Sequence, residues 1–459
     1  MIELENGVFM EQVEDLSRKK RWPDVRDMLL LLEPADIAAI LAEVSEDRLP
    51  LLYRLLPKEL AAEVFVEMDP EEQELLIKGF SDTELKEVLD ELYVDDTVDL
   101  IEEMPATVVK RILKHTDPET RKSVNEILNY PEDSAGSIMT TEFVDLKRDM
   151  TVEDALKRIR RTGVDKETIN ICYVTDPSRH LLGLVSIRTL LLSDEDDVIE
   201  EIMETNYISA STMDDREDVA QWLKKYDFLA LPVVDKESRL VGIVTIDDAI
   251  DVMEEEATED FELMAGMSPT DKPYLRAGVL ETVKSRIPWL MLLMLSATFT
   301  GIVITSFEDK LAAYSVLIGF IPMLMGTGGN CGNQSSVAVI RGLSLDEIDF
   351  GDIFQVAWKE ARVAVVCGGL LSGANFVKLM LVDRWLMGNS EVTVLVALAI
   401  CLTLICTVFC AKVVGAMLPL LAEKVGLDPA VLAAPFISTI VDVLSLLIYF
   451  RFAALLLGL

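Results

Sequence analysis

The sequence predicts a multidomain chain. An all-α superhelical N-terminal domain is followed by an α/β tandem repeat, a long acidic connecting helix and a five-helix transmembrane domain. Three observations predict this order. Excess charge is confined to the first part, a motif with a period of about sixty residues occurs twice in the middle, and long apolar stretches fill the end.

The chain has 459 residues and a formal net charge of −37, yet 51% of its residues are hydrophobic. From Ile287 onward there are 12 acidic and 9 basic residues, against 67 acidic and 33 basic before it. An acidic soluble part and an apolar part are thus joined end to end. Such a charge repels nucleic acid and favours cations. A merely soluble acidic surface would carry the same charge. Met1–Met10 lacks the basic start and apolar core of a signal peptide, which keeps the first part in the cytosol. Five of the six cysteines (Cys331, Cys367, Cys401, Cys406 and Cys410) lie in the apolar part without metal-ligand spacing, as small buried hydrophobes. His115 and His180 stand isolated in the sequence, and neither is given a role.

Residues 1–132 read as short amphipathic helices, with apolar residues at helical spacing as in Leu85, Val88, Leu89 and Leu92. Leu56-Pro57, Asp69-Pro70, Met104-Pro105 and Asp117-Pro118 punctuate them, because proline is tolerated at a helix start where its missing N–H would be unpaired anyway. A small superhelix or an ordinary bundle follows.

The repeat occupies 133–200 and 201–254. Each copy has a methionine near its start (Met139; Met203), then an amphipathic helix (Val152 to Arg160; Val219 to Lys225) and a strand (Ile171 to Thr175; Ala230 to Val234). A polar turn with a charged tip comes next, at Asp176-Pro177-Ser178-Arg179 and Asp235-Lys236-Glu237-Ser238. A strand initiated by Gly183 or Gly242 and a helix close each copy. This pattern resembles a pair of CBS domains, which implies a pseudo-two-fold module of a kind that often binds adenine nucleotides. The ribose-and-phosphate pattern of that family, Ser/Thr followed by Asp three residues later, stands at Thr245 and Asp248. The first copy reads Ser186 and Thr189, without the acid. The resemblance therefore implies ATP at Thr245 and Asp248 of the second copy.

Ile246 to Met264 forms an acidic helix, in which Asp248, Asp251, Glu255 and Glu259 share one face at spacings of three and four. Like charges so placed destabilise a lone helix, and a counter-cation would relieve them. A solvated charged helix is the alternative. The connecting helix and linker occupy 255–283.

The transmembrane part, 284–459, holds five apolar stretches: Ile287–Phe307, Leu311–Ile340, Val356–Val382, Val392–Leu421 and Val431–Leu457. Each can cross about 30 Å of hydrocarbon. The second is too long for a simple span and contains Gly326-Thr327-Gly328-Gly329-Asn330-Cys331-Gly332-Asn333-Gln334. This run predicts a break in the helix, with non-helical backbone that protein or water must surround. An odd number of spans puts the C-terminus outside. The loops agree, with Lys284, Arg286, Arg341, Lys359, Arg362 and Lys424 inside and Lys310, Arg384 and Arg451 outside.

Asp442 is the most informative residue. Apolar neighbours surround it, no Lys or Arg is near in sequence, and a carboxylate within a span is costly unless it faces water or a cation. A carboxyl kept protonated in the bundle is the alternative. Ser438 and Ser445 share nearly the same face and offer hydroxyls to the water around a hydrated ion. Asp428 is either a helix N-cap or a group at the cytosolic mouth.

The order of parts, the Gly/Asn/Gln run and the stretch from Pro435 to Asp442 closely resemble the MgtE family of magnesium channels over essentially the whole chain. Cys331 stands where threonine is expected in relatives. The resemblance implies a homodimer in the lipid of the cytoplasmic (inner) membrane, with a pore built from the second and fifth spans of both copies. Its pore residues would be Asp442, Asn330, Asn333, Gln334, Gly329, Ser438 and Asp428. Mg²⁺ keeps its water tenaciously, so paired carboxylates would hold it through that water. The resemblance also implies closure by cytosolic Mg²⁺. The regulatory residues would be Asp95 and Asp99, then Asp215, Glu217, Asp227 and Asp248, then Asp251, Glu255, Glu256, Glu259 and Asp260.

Competing readings are a proton-coupled transporter of Mn²⁺ or Co²⁺, an intramembrane aspartyl protease and a membrane-anchored sensor. No His, Cys or Met flanks Asp442 to suit a softer metal. The protease needs two carboxylates sharing a proton, and no other span carries a deep partner, so no enzyme is expected. The sensor leaves Asp442 and the broken span without purpose.

Overall fold

Proline and aspartate set the helix starts of the first region. In the computed structural model, which describes residues 12–13, 15–270, 274, 277–307, 314–345, 347–432 and 434–458, nine helices appear among the described residues before residue 130. They are α1 Trp22–Leu29, α2 Pro34–Ala42, α3 Leu49–Tyr53, α4 Lys58–Val66, α5 Pro70–Gly79, α6 Asp82–Leu89, α7 Val94–Glu103, α8 Ala106–His115 and α9 Pro118–Ile127. Pro70 and Pro118 open their helices, whereas Pro57 and Pro105 sit one residue earlier, at the cap. Ser81 and Glu84 close a reciprocal capping box on α6, and Asp117 accepts from the amides of Glu119 and Thr120. Met1–Met10, Lys310 and Leu311 lie outside the described residues.

The chain divides into two compact units, 1–254 and 255–459. In the first, one apolar core runs from α1 through α9 into the second repeat copy, with Val25, Leu29, Ile37, Leu41, Leu76 and Ile112 fully buried. Each such side chain contributes about 1.5–3 kcal/mol relative to exposure.

The repeat folds as β1 Val144–Leu146, α10 Val152–Thr162, β2 Ile171–Thr175, β3 Leu181–Ser186, α11 Ile187–Leu192 and α12 Ile199–Ile202, then β4 Ala210–Ser211, α13 Arg216–Tyr226, β5 Ala230–Val234 and β6 Leu240–Thr245. Each copy has a three-stranded sheet in which the first pair is parallel and the second antiparallel. Gly183 and Gly242 stand within β3 and β6, not at their starts. The reason is reciprocal. A Cβ on Gly183 would meet the Glu204 carbonyl at 2.7 Å and the Met203 side chain, while one on Gly242 would meet the Thr140 carbonyl at 2.8 Å and the Met139 side chain. The methionine that opens each copy thus packs on the strand glycine of the other. Tyr173 and Leu181 share a cluster with Ala230, Leu240 and Ile243 between the copies. The two histidines isolated in sequence each stand beside an aspartate: His180 Nδ1 is 2.9 Å from Asp176, and His115 Nε2 is 3.5 Å from Asp82.

Helix α14 spans Ile246–Met264. In the second unit, its part after Glu254 packs Leu263 with Ile340 and Ala430. The remaining long helices are α15 Val279–Ser306, α16 Ile321–Ser344, α17 Ile353–Lys378, α18 Val394–Lys424 and α19 Ala434–Leu457. Among the described residues, four helical segments are long and apolar enough to cross a membrane: Val279–Ser306, Phe350–Leu386, Val394–Lys424 and Phe436–Leu457. Helix α16 is the fifth of the bundle, and its 24 residues reach about 36 Å.

The expected break in the second stretch does not occur. Helix α16 runs unbroken through the Gly/Asn/Gln run, and only a 3₁₀ turn, Ser315–Phe320, precedes it. The glycines serve close packing instead. A Cβ on Gly415 of α18 would stand 2.3 Å from the Gly332 carbonyl of α16, so the two backbones touch. Gly328 likewise lies against Thr407, Val441 and Ser445. Small residues let membrane helices approach this closely, and intrahelical bonds keep every amide satisfied. Helix α18 packs on α16, α17 and α19, and α15 packs on α19. The cysteines expected to be buried divide: Cys331 and Cys401 are buried, and Cys367, Cys406 and Cys410 are half-buried, all as free thiols.

Candidate metal-ion sites

Helical spacing sorts the polar residues of α16 into two rows. Met325, Gly329 and Asn333 follow one another at intervals of four, while Thr327, Asn330 and Gln334 form a second row on another side. The first row meets α19. Met325 lines a cavity of about 410 Å³ with Asp442, Ser438 and Thr439 of α19 and Leu293, Ser296 and Thr300 of α15. The Cβ direction of Gly329 points at the Ser438 hydroxyl, 3.5 Å away. Ser296 and Thr439 share a hydrogen bond of 3.1 Å at the cavity wall. Asp442 is half-buried and has no ion-pair partner among the described residues. The Asn333 amide oxygen is buried and has no hydrogen-bond partner.

The second row lines a different cavity. Thr327, Asn330 and Gln334 stand there with Leu370 and Leu371 of α17 and Lys412 of α18. The residues expected to form one site are therefore divided between two sides of α16 within a single chain. Ser445 departs from expectation as well. It is buried against Gly328, and its hydroxyl donates to the Val441 carbonyl at 2.6 Å, so it does not line the Asp442 cavity. Asp428 is exposed and accepts from the Ala430 amide at 2.7 Å, capping the 3₁₀ turn Pro429–Leu432.

Two ionisable residues in this unit escaped the sequence reading, Lys412 and Glu360. Lys412 is 5% exposed, and its ammonium lies 3.3 Å from Ser335 Oγ and 3.8 Å from Glu360 Oε2. The Ser335 hydroxyl donates to that carboxylate at 2.6 Å. The available signal was a lone lysine in the apolar run Phe409-Cys410-Ala411-Lys412-Val413-Val414.

At the end of α14, Asp260 accepts from the Ser344 hydroxyl at 3.1 Å. Burial, and the charge of Asp428, push its carboxyl above the usual range. Two acids from separate elements thus repel where α14 meets the membrane helices.

The first unit gathers a denser set. Helix α7 begins where the Val94 amide donates to Glu142 at 2.9 Å. It then carries Asp95, Asp96 and Asp99 toward Asp248, Asp247 and Glu167. Burial, with Asp248 and Asp96 adding to it, drives Asp95 well above its ordinary value. Burial and Asp248 push Asp99 up to about 8. Burial and Asp96 push Glu167 to about 8, and one of its oxygens is buried without a hydrogen-bond partner. Burial raises Asp96 and Asp248 to about 6, although Asp248 accepts a hydrogen bond from Thr245. Buried carboxylates near other acids are relieved by proton uptake or by a cation. Among the described residues, no group of three or more Asp, Glu, His or Cys could hold a metal ion directly. The donors gathered here are all oxygens, the orphaned Glu167 oxygen among them.

Two of the other expected regulatory residues have local roles. Asp215 caps α13 by accepting from the Glu217 amide at 2.9 Å, and Asp227 ends that helix in the left-handed region with φ 54°. Asp251 is raised by burial, Asp247 and Glu254. Glu255, Glu256 and Glu259 follow on α14.

Residues 321–452 match MgtE, described as a divalent cation transporter; 32–133 match the MgtE intracellular N domain; and 135–195 and 199–255 match CBS domains. The magnesium transporter MgtE of Thermus thermophilus is 39% identical over 437 residues, 94% of this chain and 95% of that protein. The chain belongs to the MgtE family. The Bacillus subtilis MgtE magnesium transporter is 34% identical, over 95% of each chain. The crystal structure of the cytosolic domain of the Mg²⁺ channel MgtE in complex with ATP is 37% identical, with a TM-score of 0.51, and covers 53% of this chain and 99% of that one. The soluble part of a magnesium transporter gives 31% identity and a TM-score of 0.51, over 55% of this chain and 99% of that one. MgtE membership accounts for the order of helical region, CBS pair and apolar helices.

Proposed function

We propose that this chain is a magnesium channel that imports Mg²⁺ across the cytoplasmic membrane. The observation that carries the reading is Asp442, a carboxylate without an ion-pair partner among the described residues, on a membrane helix beside a cavity lined by four hydroxyl-bearing residues, Ser296, Thr300, Ser438 and Thr439. A lone carboxylate in that position is stable when a wet cation visits it. Mg²⁺ suits it because hydroxyls and amides can hold its water shell while the carboxylate offsets its charge. Two copies of the chain, with α16 and α19 of each lining the path, would bring a second Asp442 to the same ion. Gly329, Asn333 and Ser438 complete the proposed lining beside Asp442, with Asp428 at the mouth, while Asn330 and Gln334, expected in the same lining, face the second cavity across α16. Helix α15 has no buried residue, and its exposed apolar side leaves room for lipid or a second copy. The termini are proposed to lie inside (N) and outside (C).

Closure by cytosolic Mg²⁺ belongs to the same reading. Asp95, Asp99 and Asp248 in the first unit, and Asp260 beside Asp428 in the second, are acids raised by one another or by burial. A hydrated divalent cation removes that repulsion and favours the packed arrangement. Asp215, Glu217, Asp227, Asp251, Glu255, Glu256 and Glu259 are proposed as further members. The ATP-bound neighbour and the Thr245–Asp248 pair support ATP as a second ligand of the CBS pair, confined to its second copy.

The test is flux through the purified full chain in liposomes across Mg²⁺, Mn²⁺, Co²⁺ and Ca²⁺. Mg²⁺ uptake in the wild type that is lost in Asp442→Asn is expected. Equal uptake in the variant would remove Asp442 from the path.

A further inference from the structure

The cavity on the far side of α16 has the makings of a cation site, yet it holds a cation that cannot leave. Thr327, Asn330 and Gln334 offer it hydroxyl and amide oxygens, and Glu360 stands behind it. Hydroxyl oxygens line the Asp442 cavity as well, and the amides are particular to this one. A further difference is Lys412. Lys412 lines this cavity and is 5% exposed, and its ammonium is tied to Glu360 through the Ser335 hydroxyl.

Its position is not adaptable. Lys412 and Ser335 each lie three residues from the Gly415–Gly332 contact, where the backbones of α18 and α16 touch. A helix pair locked at that point holds the ammonium and the hydroxyl in register. The pair also joins three helices at one charged node, Ser335 on α16, Glu360 on α17 and Lys412 on α18. Removing the ammonium would leave the half-buried Glu360 carboxylate, bonded to Ser335, without its cationic partner, which makes the site attractive to a mobile cation. Retaining it places a fixed positive charge in the recess, and low surrounding polarity makes its repulsion of a second cation strong.

We propose that Lys412 is a tethered counter-cation that reserves the Thr327/Asn330/Gln334 cavity and confines permeating cations to the Asp442 side of α16. It is a specificity-determining residue, since the chain's own ammonium takes the place that a small monovalent or divalent cation would take. The inference rests on the reading of α16 as lining an ion path.

The experiment uses the full chain in liposomes and measures Mg²⁺ and Na⁺ flux in parallel. Lys412→Met and Lys412→Gln expose Glu360, and Na⁺ leak is expected to rise about tenfold or more over the wild type as the vacated site accepts monovalent cations. Lys412→Arg keeps a fixed charge and should exclude Na⁺ as the wild type does. Glu360→Gln leaves the ammonium in place and should also exclude it. The double variant Lys412→Met/Glu360→Gln removes the attracting carboxylate and should lose the leak. Wild-type Na⁺ exclusion in folded Lys412→Met or Lys412→Gln overturns the proposal. Failure of both to fold also overturns it, because the charge would then serve assembly. A wild type that passes no Mg²⁺ defeats the channel reading, and the Na⁺ comparison between wild type and Lys412 variants still decides the role of Lys412.

Discussion

The two units bury carboxylates in opposite company. In the first, Asp95, Asp96, Asp99, Glu167 and Asp248 are each raised by burial first and then by acidic neighbours. In the second, Asp442 stands half-buried beside a cavity, with no ion-pair partner among the described residues. Crowding makes each charge depend on its neighbours, so the group responds collectively to cations and protons. Isolation leaves a single charge whose only regulator is what occupies the cavity. The first arrangement suits sensing and the second suits passage.

Removing the isolated charge tests that contrast most severely. Asp442→Ala is expected to reduce Mg²⁺ flux in liposomes at least about a hundredfold, equivalent to about 2.8 kcal/mol, with a thermal transition close to wild type. Normal flux would erase the distinction between the two kinds of burial. Next in size is the joint neutralisation of Glu255, Glu256, Glu259 and Asp260 to their amides. Flux at millimolar Mg²⁺ should then rise about tenfold, as the carboxylates that a bridging cation draws together in the closed arrangement are gone. Closure that survives intact would detach α14 from gating.

Acidity sharpens the comparison further. Asp99 and Glu167 are raised to about 8, and Asp96 and Asp248 to about 6. Because these values are raised, the packed state holds protons that the open or unfolded chain releases. Its stability is fully present below the ordinary carboxylate range near pH 4 and is lost as pH rises through about 6 to 8. Without Mg²⁺, limited proteolysis of the first unit should therefore be several times faster at pH 8.5 than at pH 5.5, and added Mg²⁺ should slow it most at the higher pH. A flat profile would separate the acids from the packing. The smallest effect concerns the scaffold. Gly183→Ala places a Cβ against the Glu204 carbonyl and should lower stability by about 1–3 kcal/mol, read as a lowered Tm with ion selectivity unchanged.

Much of the scaffold was legible because its signals are local. Strands Ile171–Thr175 and Ala230–Val234 and the helix Ile246–Met264 emerged to the residue from apolar runs bounded by turn residues and charge. Asp442 was legible because a lone acid among apolar residues needs no partner to be noticed. What was not legible depends on contacts between helices. The glycines of α16 suggested a break, since nothing in one helix's sequence says that Gly415 of another will touch Gly332. The division of Asn330 and Gln334 from Gly329 across two cavities is likewise set by which helix each row meets. Lys412 and Glu360 are 52 positions apart, and only the fold makes them a pair.

The backbone contact at Gly332 and Gly415 limits how such a bundle can move. With carbonyl against alpha carbon, α16 cannot roll about its own axis without colliding with α18, so the two must travel as one piece. Any widening beside Asp442 would then come from α19 or α15 shifting against that fixed pair.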